Sequence, residues 1–237
     1  MAKAGLRSVS EHTVKIFDDE LGELRGLVAQ MGGLAEAAIG AAMEALVQHD
    51  AAAAQRVVDG DKRIDALEHE IERLVIRLIA LRAPMADDLR EIVAAMKIAG
   101  VMERVGDHAK NIAKRVTAME DNRHIEPLSV LPAMAIVASE MLHDVLDAFA
   151  ARDAQAAMDV CERDRAVDDF YNSIFRALVT FMMENPKSIS QAAHLLFIAK
   201  NLERIGDQAT NVAEMVYYAA TGDHMAERER IETVADQ

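Results

Sequence analysis

The chain contains one helical segment twice, and this internal duplication constrains its fold more than any other feature. Residues 103–113 read ERVGDHAKNIA, and residues 203–213 read ERIGDQATNVA. Seven of the eleven positions are identical, and two more exchange Val and Ile. Self-similarity of this kind predicts a protein built from two copies of one structural unit.

The duplication extends well beyond this segment. A shift of 103 residues aligns ALVQHDAAAAQRVVDGDKRID at 45–65 with AFAARDAQAAMDVCERDRAVD at 148–168. The offset falls to 102 at Pro84 and Pro186 and to 100 at the ERVGD and ERIGD segments, so the second copy lacks three residues near its proline. Loops tolerate such losses, which indicates that both prolines lie between helices.

Each copy is predicted to form three helices. Few prolines, few aromatic residues and abundant Ala, Leu, Met, Glu and Arg favour helices, because these residues lose little side-chain entropy there. Asp50 and Asp153 are predicted N-caps. The fold class is therefore all-α, with two tandem antiparallel three-helix bundles. The predicted helices cover residues 10–48, 52–82 and 86–120, and then 128–151, 154–184 and 188–221.

We place the boundary between the two repeats after residue 121. The first repeat covers residues 1–121, of which residues 1–9 form an N-terminal tail. The second covers residues 122–237, of which residues 224–237 form a polar C-terminal tail. A chain of 237 residues is long enough for both repeats to bury a hydrophobic core.

Composition and charge exclude several classes of protein. A net charge of -14 argues against a nucleic-acid partner and favours cations. Cys161 is the only cysteine, so one chain can form neither a disulfide framework nor a Cys-based zinc site. The N-terminal residues lack the apolar run of a signal peptide, and no uncharged stretch reaches the ~20 residues that a membrane crossing needs. We expect a cytoplasmic protein without direct membrane insertion.

Four glycines fall within about 40° of one another around the first predicted helix: Gly22, Gly26, Gly33 and Gly40. A glycine inside a helix costs up to ~1 kcal/mol relative to alanine. We therefore expect another helix to approach closely along this line. That helix belongs either to the same chain or to a second subunit.

Two acids on the third helix of each copy continue an apolar line. Asp107 lies about 40° from Glu103 in projection, on the line that apolar residues of the preceding turns define. Glu203 and Asp207 repeat the arrangement. A solvated acidic face would lie opposite the apolar arc, so these carboxylates are expected near a contact between helices.

The second helix carries a row of acids spaced by four, three and four residues: Asp61, Asp65, Glu68 and Glu72. The second copy keeps only the first two, as Asp164 and Asp168. Such a row is typical of a solvated face, but the presence of the same two acids in both copies favours a function.

These acids need a counter-charge, because like charges four residues apart destabilise a helix and their burial costs more. Arg104 and Arg204 project about 100° away, and His108 also projects away from the acids. A bound cation explains the pattern better, since carboxylates of two adjacent helices provide the oxygen ligands that suit Mg, Mn, Ca or Fe. The candidate metal ligands are Asp61, Asp65, Glu103, Asp107, Asp164, Asp168, Glu203 and Asp207.

With these motifs the chain resembles the PhoU family over nearly its whole length. The order, spacing and duplication of the motifs carry the resemblance. They are the two Glu-Arg-Val/Ile-Gly-Asp segments, the two Asp-x-x-x-Asp pairs, Met31-Gly32-Gly33, Pro84 with Asp88-Leu89-Arg90, and MLHDVLDAFA at 141–150.

The resemblance implies a paired E(D)xxxD metal site in each repeat, able to hold a multinuclear cluster. The cofactor would be a divalent or multinuclear metal, namely Fe, Mn, Mg or Zn. The second copy lacks the Asp-Leu-Arg signature after Pro186, so the two sites need not be equivalent. Carried over, the first site comprises Asp61, Asp65, Glu103 and Asp107, and the second Asp164, Asp168, Glu203 and Asp207.

The resemblance also implies a function without catalysis. Members of the family act in the cytoplasm as negative regulators of the phosphate-starvation (Pho) response. The implied partners are the Pst phosphate ABC transporter, through its ATPase subunit, and the phosphate sensor histidine kinase. A homodimer is expected, and no residue is assigned a catalytic role.

Three alternatives stay open. A ferritin-like or other carboxylate-bridged metalloenzyme would need two Glu-x-x-His motifs, whereas the chain offers Glu140-Met-Leu-His143 and, in the link, Asp121-Asn-Arg-His124. A metal-dependent phosphohydrolase would need a nucleophile, a general base and a concave pocket, for which the sequence has no motif. A helical scaffold whose acids bind nothing is the third alternative.

Overall fold

The computed structural model describes residues 2–119 and 129–225, with side chains from residue 15 onwards. These residues form seven α-helices and no strand. A short 3-10 helix, Pro186–Ser188, precedes the last of them. The helices are α1 (Ala2–Gln48), α2 (Ala51–Gly60), α3 (Lys62–Arg82), α4 (Ala86–Ala118), α5 (Leu131–Ala151), α6 (Ala154–Glu184) and α7 (Ile189–Thr221).

The helices pack as two bundles. Helices α1 to α4 form the first bundle, and α5 to α7 form the second. The last helices of the two repeats, α4 and α7, pack against each other, and α1 also packs on α5. The buried apolar side chains consequently form one continuous core. The predicted all-α fold of two tandem three-helix bundles is confirmed.

The predicted helix ends are confirmed where the sequence offers a specific signal. Asp50 and Asp153 accept hydrogen bonds from backbone N–H groups in the first turns of α2 and α6. Pro84 lies between α3 and α4, and Pro186 lies between α6 and α7. Proline favours these junctions because it donates no backbone hydrogen bond.

Two predicted boundaries are corrected. Helix α1 begins at Ala2, so residues 2–9, predicted as a tail, continue the helix. The second predicted helix is divided at Asp61 into α2 and α3. The N–H of Ile64 bonds there to the C=O of Asp61 only three residues back, at 2.8 Å, while the backbone of Asp61 stays helical at φ -54° and ψ -36°. The predicted repeat boundary and the C-terminal tail from residue 226 onwards lie outside the described residues.

The four aligned glycines of α1 face open space: Gly22, Gly26, Gly33 and Gly40. A Cβ atom built on any of them would meet no atom of the described chain within 4 Å. The close contact of α1 is instead at Gly32, where a Cβ would clash with Leu146 of α5. The prediction that a helix of the same chain packs on these four glycines is therefore wrong. The alternative, that a second subunit packs there, stays a prediction.

Helix α1 is the one described helix that is long and apolar enough, from Lys15 to Gln48, to cross a membrane by length and composition. Its buried residues, among them Leu24, Met31 and Ile39, pack in the core of the bundle. Because a core helix passes the same test, this property is weak evidence for a membrane span.

Candidate metal centre

A glycine in each repeat lets the two acid-bearing helices come together. A Cβ on Gly106 of α4 would lie 2.8 Å from Cδ1 of Ile64 and 3.3 Å from Oδ1 of Asp61. A Cβ on Gly206 of α7 would lie 3.2 Å from Cγ1 of Val167. A larger residue at either position would have to displace the side chain of Ile64 or Val167, so these glycines permit the close approach of the acid-bearing helices.

The first repeat gathers its acids around Glu103. Burial raises the pKa of Glu103, and nearby carboxylates add to that shift: Asp107, Glu68, Asp65 and Asp61. Glu68 is a fifth acid that the sequence analysis placed in the acidic row but not in the site. Its Oε1 would lie 3.5 Å from a Cβ on Gly100 of α4, so its carboxylate also reaches the neighbouring helix.

Lys110 supplies a counter-charge from within the chain. Its Nζ lies 2.5 Å from Oδ2 of Asp61 and 3.0 Å from Oδ1 of Asp107. These hydrogen bonds, that to Asp61 first, raise the pKa of Lys110 above its usual range. The side chain of Asp61 is 6% exposed, whereas those of Lys110 and Asp107 are 27% and 48% exposed, so only the carboxylate of Asp61 is withdrawn from water. Arg104, the counter-charge weighed from the sequence, is not the one bound here, and Lys110 was not predicted although it follows Asp107 at the helical i,i+3 spacing.

Glu203 is the buried acid of the second repeat, with 5% of its surface exposed. Its Oε1 accepts a hydrogen bond from Nζ of Lys200 at 2.7 Å. Its Oε2 is buried and has no hydrogen-bond partner among the described residues. Burial raises the pKa of Glu203, the bond from Lys200 opposes this, and Asp207 and Asp168 raise it further.

Two other acids of the second repeat, Asp207 and Asp168, lie close enough to Glu203 to act on its charge. Burial and then the charge of Asp207 raise the pKa of Asp168. Asp164 is half-buried one turn before Asp168, and Asp207 is also half-buried. Tyr171 occupies the position that corresponds to Glu68, so the second cluster has one carboxylate fewer.

These residues fit a hard divalent cation by their chemistry, because the donors are carboxylate oxygens and one buried oxygen of Glu203 has no partner among the described residues. In the part of the chain that the structure describes, no three acidic, histidine or cysteine side chains form a group that could hold one ion as they stand. Asp61, Asp107 and Glu203 bind lysines instead. Metal binding by the eight candidate carboxylates stays a prediction.

His108 and His143 have hydrogen-bond partners other than the predicted metal ligands. His108 is half-buried between α4 and α7, with Nδ1 at 3.0 Å from Oδ1 of Asn201, and burial lowers its pKa. Glu140 and His143, the Glu-x-x-His pair of the ferritin-like alternative, are exposed on α5, and Glu140 binds Arg163. A di-iron site requires such side chains to project into the bundle.

A cavity of about 390 Å³ lies between α4 and α7, and no acid is among its described lining residues. Its lining residues are Asn111, Lys114, Arg115 and Asn201. The guanidinium of Arg115 lies 4.4 Å from the centre of the Phe197 ring. Because amides and cations line it, this cavity does not provide the carboxylates with the concave pocket that a metal-dependent phosphohydrolase requires.

Comparison with known proteins gives matches along most of the chain. The family model of the PhoU domain matches residues 28–116 and again residues 131–216. The phosphate-specific transport system accessory protein PhoU homologue of Zymomonas mobilis is 56% identical over 219 residues, covering 92% of each chain. The homologue of the same name from Caulobacter vibrioides is 48% identical over 221 residues, covering 92% of this chain and 95% of its own.

A solved structure matches over a similar length. The crystal structure of PhoU from Pseudomonas aeruginosa superposes with a TM-score of 0.83 at 36% sequence identity. The match covers 87% of this chain and 100% of that chain. The two matches to the domain model coincide with the two repeats seen in the sequence.

Proposed function

The chain belongs to the PhoU family, and we propose that it is a metal-binding negative regulator of the phosphate-starvation response and of phosphate uptake. The names of its relatives describe accessory proteins of phosphate-specific transport systems. An accessory protein acts on other proteins, so the function is expected to lie in docking and not in catalysis.

The observation that carries the metal-binding part is the oxygen Oε2 of Glu203, which is buried without a hydrogen-bond partner among the described residues. An acceptor of this kind costs free energy. A divalent cation would supply the positive charge that this oxygen and the carboxylates beside it require. The residues that would hold it are Asp61, Asp65, Glu103 and Asp107 in the first repeat, and Asp164, Asp168, Glu203 and Asp207 in the second.

We place the protein in the cytoplasm, where it docks on the ATPase subunit of the Pst phosphate transporter and on the phosphate sensor histidine kinase. Docking keeps the phosphate-starvation genes off when phosphate is plentiful. The protein acts as a homodimer, without inserting into the membrane. Its net charge of -14 supports a cationic ligand and opposes a nucleic-acid partner.

Metal content and regulation test this function together. The protein is purified without chelators, and its metals are measured by mass spectrometry. Glu103→Ala/Asp107→Ala is expected to lose the metal of the first repeat, and Glu203→Ala/Asp207→Ala that of the second, with helix content unchanged by circular dichroism. In cells that lack the endogenous protein, the combined variant is expected to leave a phosphate-starvation reporter on in rich phosphate.

The control is Glu70→Ala, which removes an exposed acid of α3 and should keep both metal and repression. Unchanged metal content in both double variants contradicts the ligand assignment. Turnover of ferrous iron or of phosphate esters by the purified protein would favour a carboxylate-bridged metalloenzyme. Wild-type protein that is free of metal and still represses the reporter would favour a metal-free scaffold.

A further inference from the structure

The two acid clusters carry their lysines at opposite ends. Lys110 lies after the acid pair of α4, and the aligned position of the second repeat is Thr210. Lys200 lies before the acid pair of α7, and the aligned position of the first repeat is Gly100. Each repeat thus has a cation where the other repeat has none, although the acids themselves are duplicated.

On the C-terminal side of the acid pair of α4, Lys110 binds acids of two chain segments. Its Nζ contacts Asp61 of the α2–α3 junction at 2.5 Å and Asp107 of α4 at 3.0 Å. In the second repeat, the hydroxyl of Thr210 donates to the backbone carbonyl of Asp207 at 2.8 Å. Thr210 therefore adds no charge to the second cluster, and Lys110 neutralises part of the first.

On the N-terminal side of the acid pair, the lysine belongs to the second repeat and not to the first. Lys200 binds Oε1 of Glu203 at 2.7 Å and lies 5.0 Å from the centre of the Tyr171 ring, within the range of a cation–π interaction. In the first repeat this place holds Gly100, and the carboxylate of Glu68 extends over it. The first cluster therefore gains an acid where the second gains a cation.

We propose that Lys110 and Lys200 are resident counter-cations that compete with a divalent metal ion for the carboxylates, and that they make the two sites unequal. The inference rests on the metal binding proposed above. An ammonium group bound to a carboxylate occupies one of its oxygens and repels a second cation nearby. Lys110 occupies two carboxylates, whereas Lys200 occupies one oxygen of Glu203 and leaves Oε2 open. The two sites consequently differ in the carboxylate oxygens that they leave to a metal ion.

The test uses Mn²⁺ alone, because the paramagnetic resonance signal of free Mn²⁺ falls when the ion binds. Each site is measured with the other disabled: E203Q/D207N isolates the first site, and E103Q/D107N isolates the second. Lys110→Met is expected to raise the affinity of the first site at least about tenfold, and Lys200→Met that of the second, since each removes a repelling unit charge.

The matched control is Lys114→Met, which removes an exposed lysine one turn beyond Lys110. It is expected to change neither affinity by more than about twofold, because water and salt screen exposed charges. Lys110→Thr installs the residue of the second repeat and serves as a second variant. For both Lys110 variants, Mn²⁺ should raise the Tm more than it does in the wild type.

The outcomes separate this inference from the proposed function. If the wild type binds Mn²⁺ and both lysine variants bind it equally or more weakly, the lysines position the carboxylates and do not compete, and the inference is overturned while metal binding stands. If no form binds Mn²⁺, both are overturned. If the lysine variants bind more tightly but the two wild-type sites bind Mn²⁺ equally, the proposed inequality of the sites is overturned.

Discussion

Glu103 sits where the fold disfavours its charge. Burial and four neighbouring carboxylates raise its pKa, and the lysine of its cluster binds Asp61 and Asp107. A structural role alone would be served as well by a neutral side chain of the same shape. A charge that is kept against its surroundings is typical of functional sites, so Glu103 should lower the stability of the metal-free protein.

We predict that Glu103→Gln stabilises the metal-free protein at pH 7 by a few tenths to about 1 kcal/mol, the range for relief of like-charge contacts on helices. Because the pKa of Glu103 in the fold lies above its usual value of 4.5, the cost is absent below about pH 4, where folded and unfolded states are both protonated. It develops as the pH rises from that usual value and is complete once the pH exceeds the raised pKa of Glu103. Urea unfolding of the wild type and of Glu103→Gln at pH 4 and at pH 7 measures the difference in stability at each pH.

The exposed acid Glu70 of α3 gives the control for this prediction. At pH 7, Glu70→Gln should change the free energy of unfolding by less than Glu103→Gln does, because water screens the charge of Glu70. At pH 4 its effect should be as small as at pH 7. If Glu103→Gln destabilises the metal-free protein at pH 7, then Glu103 makes a structural interaction that outweighs the repulsion.

Among the residues of the candidate site, the acids can be predicted from the sequence but the lysines cannot. Spacing along one helix shows that Glu103 and Asp107 share a face. The bond from Lys110 to Asp61 depends on how closely α3 approaches α4 at Gly106, which is a tertiary contact. Lys200 was missed for the same kind of reason, since a helical projection does not show where a long flexible side chain ends.

The helices themselves follow from sequence signals, apart from the start of α1 and the break at Asp61. Gly60 precedes the break, and the aligned residue of the continuous helix α6 is Arg163. Glycine costs about 1 kcal/mol in a helix interior, whereas Arg163 also binds Glu140 and Asp144 of α5. Gly60 therefore permits a local break in one repeat that the other repeat lacks. Periodicity does not reveal such a break, because the apolar pattern continues through it.

The start of α6 depends on one side chain. Oδ1 of Asp153 accepts hydrogen bonds from the N–H groups of Gln155 at 2.9 Å and Ala156 at 3.0 Å. We predict that Asp153→Ala lowers the free energy of unfolding by about 1 kcal/mol, because two backbone donors lose their partner. Asp153→Asn keeps an oxygen in place and should be nearly neutral. Equal losses for the two variants in urea unfolding would contradict the capping role.

The two repeats are tied together at the start of α4. Glu91 is 3% exposed and binds Arg25 of α1 at 2.5 and 3.0 Å and Arg152, which lies between α5 and α6. The adjacent Arg90 donates from Nε to the carbonyl of Ala219 near the end of α7, at 3.4 Å. No helical spacing predicts these contacts, because they join segments that only the docking of the two repeats brings together.

We predict that Arg25→Ala/Arg152→Ala lowers the free energy of unfolding by about 3 to 5 kcal/mol, because it leaves Glu91 as a buried charge without its partners. Adding Glu91→Ala to this variant should recover part of the loss, since no buried charge then remains. Arg163→Ala, which breaks an exposed network on α5 and α6, is the control and should cost about 0 to 1 kcal/mol. Urea unfolding measures all three. If the triple variant is less stable than the double, Glu91 contributes more by packing than its charge costs, and the link between the repeats is not electrostatic.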